Sequence, residues 1–160
     1  MALDVEQIVR KSVTVEASQE RAFRVFTEGF ATWWPLATHH IGKADAAAAF
    51  VEPHEGGRFY ERGVDGSECD WGRVFAYEPP SRLVIAWMLG PDWEFDADPA
   101  HATEVEIRFV AESPTRTRVE LEHRGFDRLP ERGAEIRDAV AAEGGWGSLL
   151  ERYAEAASRA

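Results

Sequence analysis

Cysteine is nearly absent. Cys69 stands alone, so no internal disulfide can form, and the chain carries no cysteine-rich metal pattern. No apolar run approaches the ~18 residues of a membrane span, and no apolar leader-like stretch follows Met1. The expected setting is therefore cytoplasmic, without membrane insertion. Basic residues are also in deficit: 18 Lys and Arg face 29 Asp and Glu, a formal net charge of −11. Such a surface repels phosphate backbones and anionic lipid, which excludes nucleic acid as an expected partner. Arg116 and Arg118 alternate with acids along an apparent strand and read as a solvated face. A phosphate-cradling loop, a dinucleotide fingerprint and a Gly-x-Ser-x-Gly elbow are all missing. Cys69 has no sequence-level partner for nucleophilic work, and no catalytic residue is assigned. Nor does any repeat, low-complexity stretch or linker divide the 160 residues, so a single domain over 1–160 is expected.

What is present is a core-forming pattern: 44% of residues are hydrophobic, too many for a disordered chain. Residues 8–15 read as a strand. Ser18 then resembles a helix N-cap, with Glu20 and the apolar Ala22, Phe23, Val25 and Phe26 behind it. Residues 30–36, aromatic and stopped by Pro35, predict a second short helical turn. Strands follow over 47–52, 57–62, 69–77, 82–89, 103–111 and 117–123, each closed by turn chemistry such as Gly63-Val64-Asp65-Gly66. Residues 131–157 carry Ile136, Val140, Leu150 and Ala154 at helical spacing and predict one long helix. On 103–111, Val105, Ile107 and Phe109 share one parity, with Glu104, Glu106 and Arg108 on the other. On 117–123, Val119, Leu121 and His123 point one way and Arg118, Glu120 and Glu122 the other. One buried and one solvated sheet face follow. The expected class is α+β: a curved antiparallel sheet gripping a C-terminal helix, with two short helices after the first strand.

Several motifs then form an ordered series. They are Glu52-Pro53-His54-Glu55-Gly56-Gly57-Arg58-Phe59-Tyr60-Glu61, Asp65-Gly66, Trp71-Gly72-Arg73-Val74, Glu78-Pro79-Pro80-Ser81-Arg82-Leu83-Val84, Trp87, His123-Arg124-Gly125-Phe126 and Gly145-Trp146. From about residue 8 to 157 this series resembles the SRPBCC superfamily, in the branch homologous to the activator of heat-shock-protein-90 ATPase. The resemblance implies a helix-grip fold, like the START and birch-pollen-allergen domains, with a cavity between sheet and long helix. It does not imply one activity. Members bind lipids, hormones or aromatic polyketides, and some catalyse cyclisation.

Six tryptophans supply large apolar plates, each with one N–H donor, suited to cores and ligand walls alike. The candidate ligand-binding set is Trp33, Trp34, His39, Phe59, Trp71, Trp87, Phe109, His123 and Trp146. Trp93, among the acids of residues 90–102, is expected on a lid or entrance. His123 is the one polar member of the inward set, either a ligand-orienting group or a satisfied strand-end histidine. His39 and His40 are expected at the same entrance. A metal would need three converging ligands, and adjacent histidines with His54 or Glu55 do not supply them; neither metal nor cofactor is expected. Phe59 shares parity with Glu61, so either Glu61 or the pair Arg58 and Tyr60 enters the cavity. Gly144, Gly145 and Gly147 interrupt the long helix, through close packing or a kink beside Trp146.

Three functions follow as expectations. The leading one is non-catalytic binding of a small, mostly hydrophobic, aromatic molecule, with a homodimer left open. The second is a cyclase or hydrolase using His123 with a nearby carboxylate. The third is a co-chaperone-like interaction module, which requires a filled interior and a large exposed apolar patch.

Overall fold

The computed structural model describes residues 8–90, 92–129, 132–142 and 145–159. The strand segments form seven strands: β1 (Val9–Val15), β2 (Ala46–Val51), β3 (Arg58–Gly63), β4 (Glu68–Glu78), β5 (Arg82–Trp87), β6 (Thr103–Ser113) and β7 (Arg116–Arg124). They form one curled antiparallel sheet in the order β1-β7-β6-β5-β4-β3-β2. The register sets Val9 opposite His123 and His123 opposite Val105, so the expected inward residues lie in one row across three strands. Bulges between Phe59 and Tyr60 and between Val74 and Ala76 bend the β3–β4–β5 half.

Helix α1 (Gln19–Thr27) begins where Ser18 Oγ accepts the Arg21 N–H at 3.2 Å, the cap expected from sequence. Its Ala22, Phe23 and Phe26 are buried. The short α2 (Phe30–Trp33) follows and ends at Trp34, whose extended backbone precedes Pro35.

The single long helix expected over 131–157 is two helices: α3 (Gly133–Ala141) and α4 (Trp146–Ser158). At the break, Gly145 N–H donates to Ala142 O at 2.8 Å, and a Cβ on Gly145 would sit 2.1 Å from Val140 O. Close backbone approach therefore requires glycine at 145, whereas nothing crowds Gly147. Gly144 and Glu131 lie outside the described residues. Helix α4 packs on β1 and α1, where the Tyr153 hydroxyl donates to Ala22 O at 2.6 Å and Arg152 Nε donates to Trp33 O at 2.9 Å.

The outer sheet face is less open than alternation predicts. Glu106 is 5% exposed, because Arg82, Arg108 and Arg124 close over its carboxylate at 2.6, 3.0 and 2.8 Å. Burial alone would raise this carboxyl, but the hydrogen bonds from Arg82, Arg124 and Arg108 outweigh it and hold the pKa at about 2. The native group thus binds its proton more weakly than an ordinary glutamate at 4.5. Its stabilisation is complete above that value and is lost as pH falls toward 2, a loss of roughly 3 kcal/mol. Glu106→Gln should lower stability at pH 7 by about 2–3 kcal/mol. It should also flatten the acid limb below pH 4.5, both read from urea midpoints across pH.

Candidate functional site

The tryptophans are placed by the ends of elements. Trp34 closes α2, Trp87 ends β5 and Trp146 opens α4. Trp71 is the extra residue of a bulge, since Phe59 pairs with Gly72 while Tyr60 pairs with Asp70. The structure also resolves the parity left open by the sequence. Phe59 and Glu61 turn inward, each 1% exposed, while Arg58 stacks over the Tyr60 ring at 3.9 Å and pairs with Asp70.

Glu61 is a buried carboxylate fully supplied with donors. It accepts the Ile41 N–H at 2.6 Å, the Gly42 N–H at 3.1 Å and Trp71 Nε1–H at 2.8 Å. A charge buried without such bonds would cost several kcal/mol. Here it fastens the segment after α2 to the sheet. Within that segment, Thr38 and His39 N–H groups donate to Pro35 O, and Trp34 Nε1–H donates to His39 O at 2.9 Å. His39 Nδ1 meets Thr38 Oγ1 at 2.8 Å. His40 Nδ1 lies 3.1 Å from Gly42 O; a carbonyl only accepts, so this nitrogen carries the proton in neutral His40 and Nε2 keeps its lone pair.

The acidic loop folds back over the end of β5. Gly90 N–H donates to Glu94 O, Asp96 N–H donates to Met88 O, and Leu89 bridges Phe95. Asp92 takes both terminal nitrogens of Arg132 at 3.0 and 3.1 Å, tying the loop to the start of α3. Trp93 has a left-handed backbone, φ 60°, and is 44% exposed.

Between these parts lies a cavity of about 400 Å³. Trp34, Trp71, Trp87, Trp146, Leu89, Val140 and Leu149 form its buried wall. Thr38, Trp93 and Ala139, all exposed, form the rim, with half-buried His39, His40 and Ile41 between. Trp93, His39 and His40, expected at an entrance, lie at the mouth of this cavity. Leu89 and Val140 are ordinary apolar residues of a strand segment and a helix, and nothing in their pattern distinguishes core from cavity wall.

Of the candidate set, Trp34, His39, Trp71, Trp87 and Trp146 meet at this cavity; Trp33, Phe59, Phe109 and His123 do not. They share the inward face, but helices fill that face at the other end. Phe109 packs on Phe23 and Phe26, and Trp33 on Phe26, Phe30 and Tyr153. Phe59 lies edge-on behind Trp71.

His123 lies behind the cavity wall rather than on it. Trp146 Nε1–H donates to His123 Nδ1 at 3.0 Å; indole only donates, so the imidazole proton sits on Nε2 and points to Thr103 Oγ1 at 2.8 Å. Thr103 in turn donates to Trp87 O at 3.3 Å. Both ring nitrogens are thus committed, and the histidine orients two wall tryptophans from behind. Among the described residues no three His, Cys, Asp or Glu side chains converge as a metal site, and His54 is exposed on the β2–β3 turn.

Burial pushes the His123 pKa down from 6.5 to about 3. The unfolded chain therefore takes up a proton between these values that the native state refuses, so stability is full above pH 6.5 and declines below it. The loss reaches about 2 kcal/mol by pH 5. His123→Gln should flatten this limb while lowering stability at pH 7, with Glu106 contributing only at lower pH. Urea midpoints at pH 7.5 and 5 check both.

Comparison with known proteins then adds relatives. The family model described as activator of Hsp90 ATPase homolog 1-like protein matches residues 16–157. An anthrahydroquino-γ-pyrone synthase, Txn09, solved as a complex with SUM, is 38% identical over 94% of this chain and 97% of its own, with a TM-score of 0.66. CalC, a self-sacrificing resistance protein from Micromonospora echinospora, is 33% identical over 95% and 94%, with a TM-score of 0.70. An HSP90 activator from Plasmodium falciparum shares the fold at 20% identity over 91% and 84%, with a TM-score of 0.51. No curated protein sequence matches the chain.

Proposed function

The chain belongs to the activator of Hsp90 ATPase homolog 1-like family, and from that premise we propose that it binds a flat, mostly apolar aromatic molecule in the tryptophan-walled cavity. One observation carries this reading: a cavity of about 400 Å³ whose buried wall is almost wholly indole and aliphatic, with polar side chains confined to the mouth. Indole faces favour stacked or edge-on aromatic rings, and a largely preformed apolar cleft with a few polar groups is the usual form of a small-molecule site. One of the two relatives above 30% identity supports an aromatic ligand, since it is described as an anthrahydroquino-γ-pyrone synthase. The other is described as a self-sacrificing resistance protein.

A second reading is chemistry on the bound molecule, favoured by the likeness to that synthase and by His40 at the cavity mouth. With His123 sealed behind Trp146, proton transfer would fall to His40 Nε2, whose lone pair is fixed by the Gly42 carbonyl. An interaction module receives less support. The large exposed apolar side chains among the described residues, Val64, Phe75 and Trp93, sit on three separate segments.

Titration with flat aromatics should quench tryptophan fluorescence saturably, at one molecule per chain by native mass spectrometry. Ala139→Trp, at the exposed rim, should weaken this at least tenfold with an unchanged far-UV spectrum. Non-saturable quenching, equal in both proteins, would remove the reading. Chromatography of the incubated ligand separates the two forms: a new product, lost in His40→Gln while binding persists, supports catalysis.

A further inference from the structure

The indoles that border the cavity are not equivalent. Trp34, Trp71, Trp87 and Trp146 are buried and pack their rings on one another. Trp93 borders the same cavity from its rim, is 44% exposed, and makes no ring contact among the described residues. A side chain of this size standing half in water forgoes the burial that the other indoles obtain.

The backbone beneath Trp93 carries a second cost. Gly90 N–H donates to Glu94 O and Trp93 N–H to Gly90 O, both at 2.9 Å, and Leu89 bridges Phe95, so Trp93 closes a tight hairpin connection. Its φ of 60° is left-handed. Hairpins of this kind usually place glycine at the left-handed position, because a Cβ there is crowded by the backbone. Among the described residues the other positive-φ positions, Gly56, Gly66 and Gly125, follow that rule. A local rule broken in this way calls for a functional cause.

The loop is nevertheless held on both sides of Trp93. Asp92 takes both terminal nitrogens of Arg132 at the start of α3. Phe95 packs against Ala86 and Met88, which flank the inward Trp87, and against Ala102. These two anchors fix where the ring stands at the mouth.

We infer that Trp93 is a ligand-binding residue, whose ring lies against the part of a bound flat aromatic molecule that reaches the mouth and adds an outer plate to the four inner ones. This rests on the cavity being a ligand site and names the residue that holds the molecule's outer end. Binding takes both ring and ligand out of water, so the apolar area that the fold leaves exposed becomes binding area. An anchored backbone also has little order left to lose at that step.

The test titrates 9,10-anthraquinone against the wild-type protein, Trp93→Gly and Trp93→Phe. Glycine removes the ring and suits the left-handed backbone, whereas phenylalanine keeps an aromatic face. The expected result is a roughly tenfold loss of affinity in Trp93→Gly, carried by faster dissociation, with Trp93→Phe within about threefold of wild type. The urea midpoint of Trp93→Gly should be unchanged or raised, whereas loss of a structural tryptophan would lower it. A direct measurement on the unaltered protein stands beside these: nuclear Overhauser effects should join the Trp93 ring protons to those of the bound anthraquinone. Four results would each overturn the inference and leave the cavity as a binding site: full affinity in Trp93→Gly, an equal loss in Trp93→Phe, a loss accompanied by a lowered midpoint, or binding without Trp93 contacts in the spectra. Failure of anthraquinone to bind the wild-type protein would overturn the cavity reading itself, and this inference with it.

Discussion

The chain must cross its own sheet. β1 and β2 lie at opposite edges of seven strands, and consecutive strands stand ~4.8 Å apart, so residues 16–45 span roughly 29 Å of the concave face. What they use for the crossing decides what lies beneath. Over the first half, α1 and α2 lay down Phe23, Phe26, Phe30 and Trp33, which fill the space against Phe109 and Tyr153 as a close-packed core. Over the second half the chain is non-helical, and a thinner segment leaves room between itself, the sheet and α4. Packed core and open cavity are thus two ends of one layer, separated by where helical structure stops at Trp34.

A non-helical roof over an apolar space needs its backbone groups satisfied and its position fixed. Glu61 does both, accepting two successive N–H groups of the crossing segment and the indole of Trp71 in the opposite wall. His123 plays the matching part on the other side, where Trp146, His123, Thr103 and the Trp87 carbonyl form one hydrogen-bonded chain. Two buried polar side chains therefore hold the aromatic plates at set angles. This arrangement suits recognition of flat molecules, because indoles free to rotate would have to be ordered on binding at an entropic cost.

Family membership leaves this level of detail open. Relatives of the same fold are described as a synthase, a resistance protein and an HSP90 activator, and a fold shared by such different proteins does not by itself specify function. The features on which the proposed function rests belong to the cavity end of the concave face: the acidic loop tied to α3 by Asp92 and Arg132, the tryptophans of the wall and the two histidines of the mouth.

Alternation along β6 and β7, the Ser18 cap and the turn at residues 63–66 are local patterns, each set by chain geometry within a few residues, so the α+β class and the inward rows were legible from sequence. The entrance positions of Trp93, His39 and His40 were legible too, as unusual residues in loops. The break between α3 and α4 was only half visible: the glycines marked it, but the contact of Gly145 with Val140 O arises when the helix end folds back. The bulge at Trp71 could not be read at all, because it depends on pairing between β3 and β4, and the parity of Glu61 depends likewise on the distant Ile41, Gly42 and Trp71 that supply its donors. His123 shows the same limit. Its inward direction follows from a period of two, but whether it meets a ligand or Trp146 and Thr103 depends on elements 20 or more residues away. The sequence by itself determined which apolar rows of β6 and β7 turn inward, since periodicity is a property of neighbouring residues. Only the tertiary structure decided which of them touch one another and which border a cavity, since that depends on where non-neighbouring backbones come to rest.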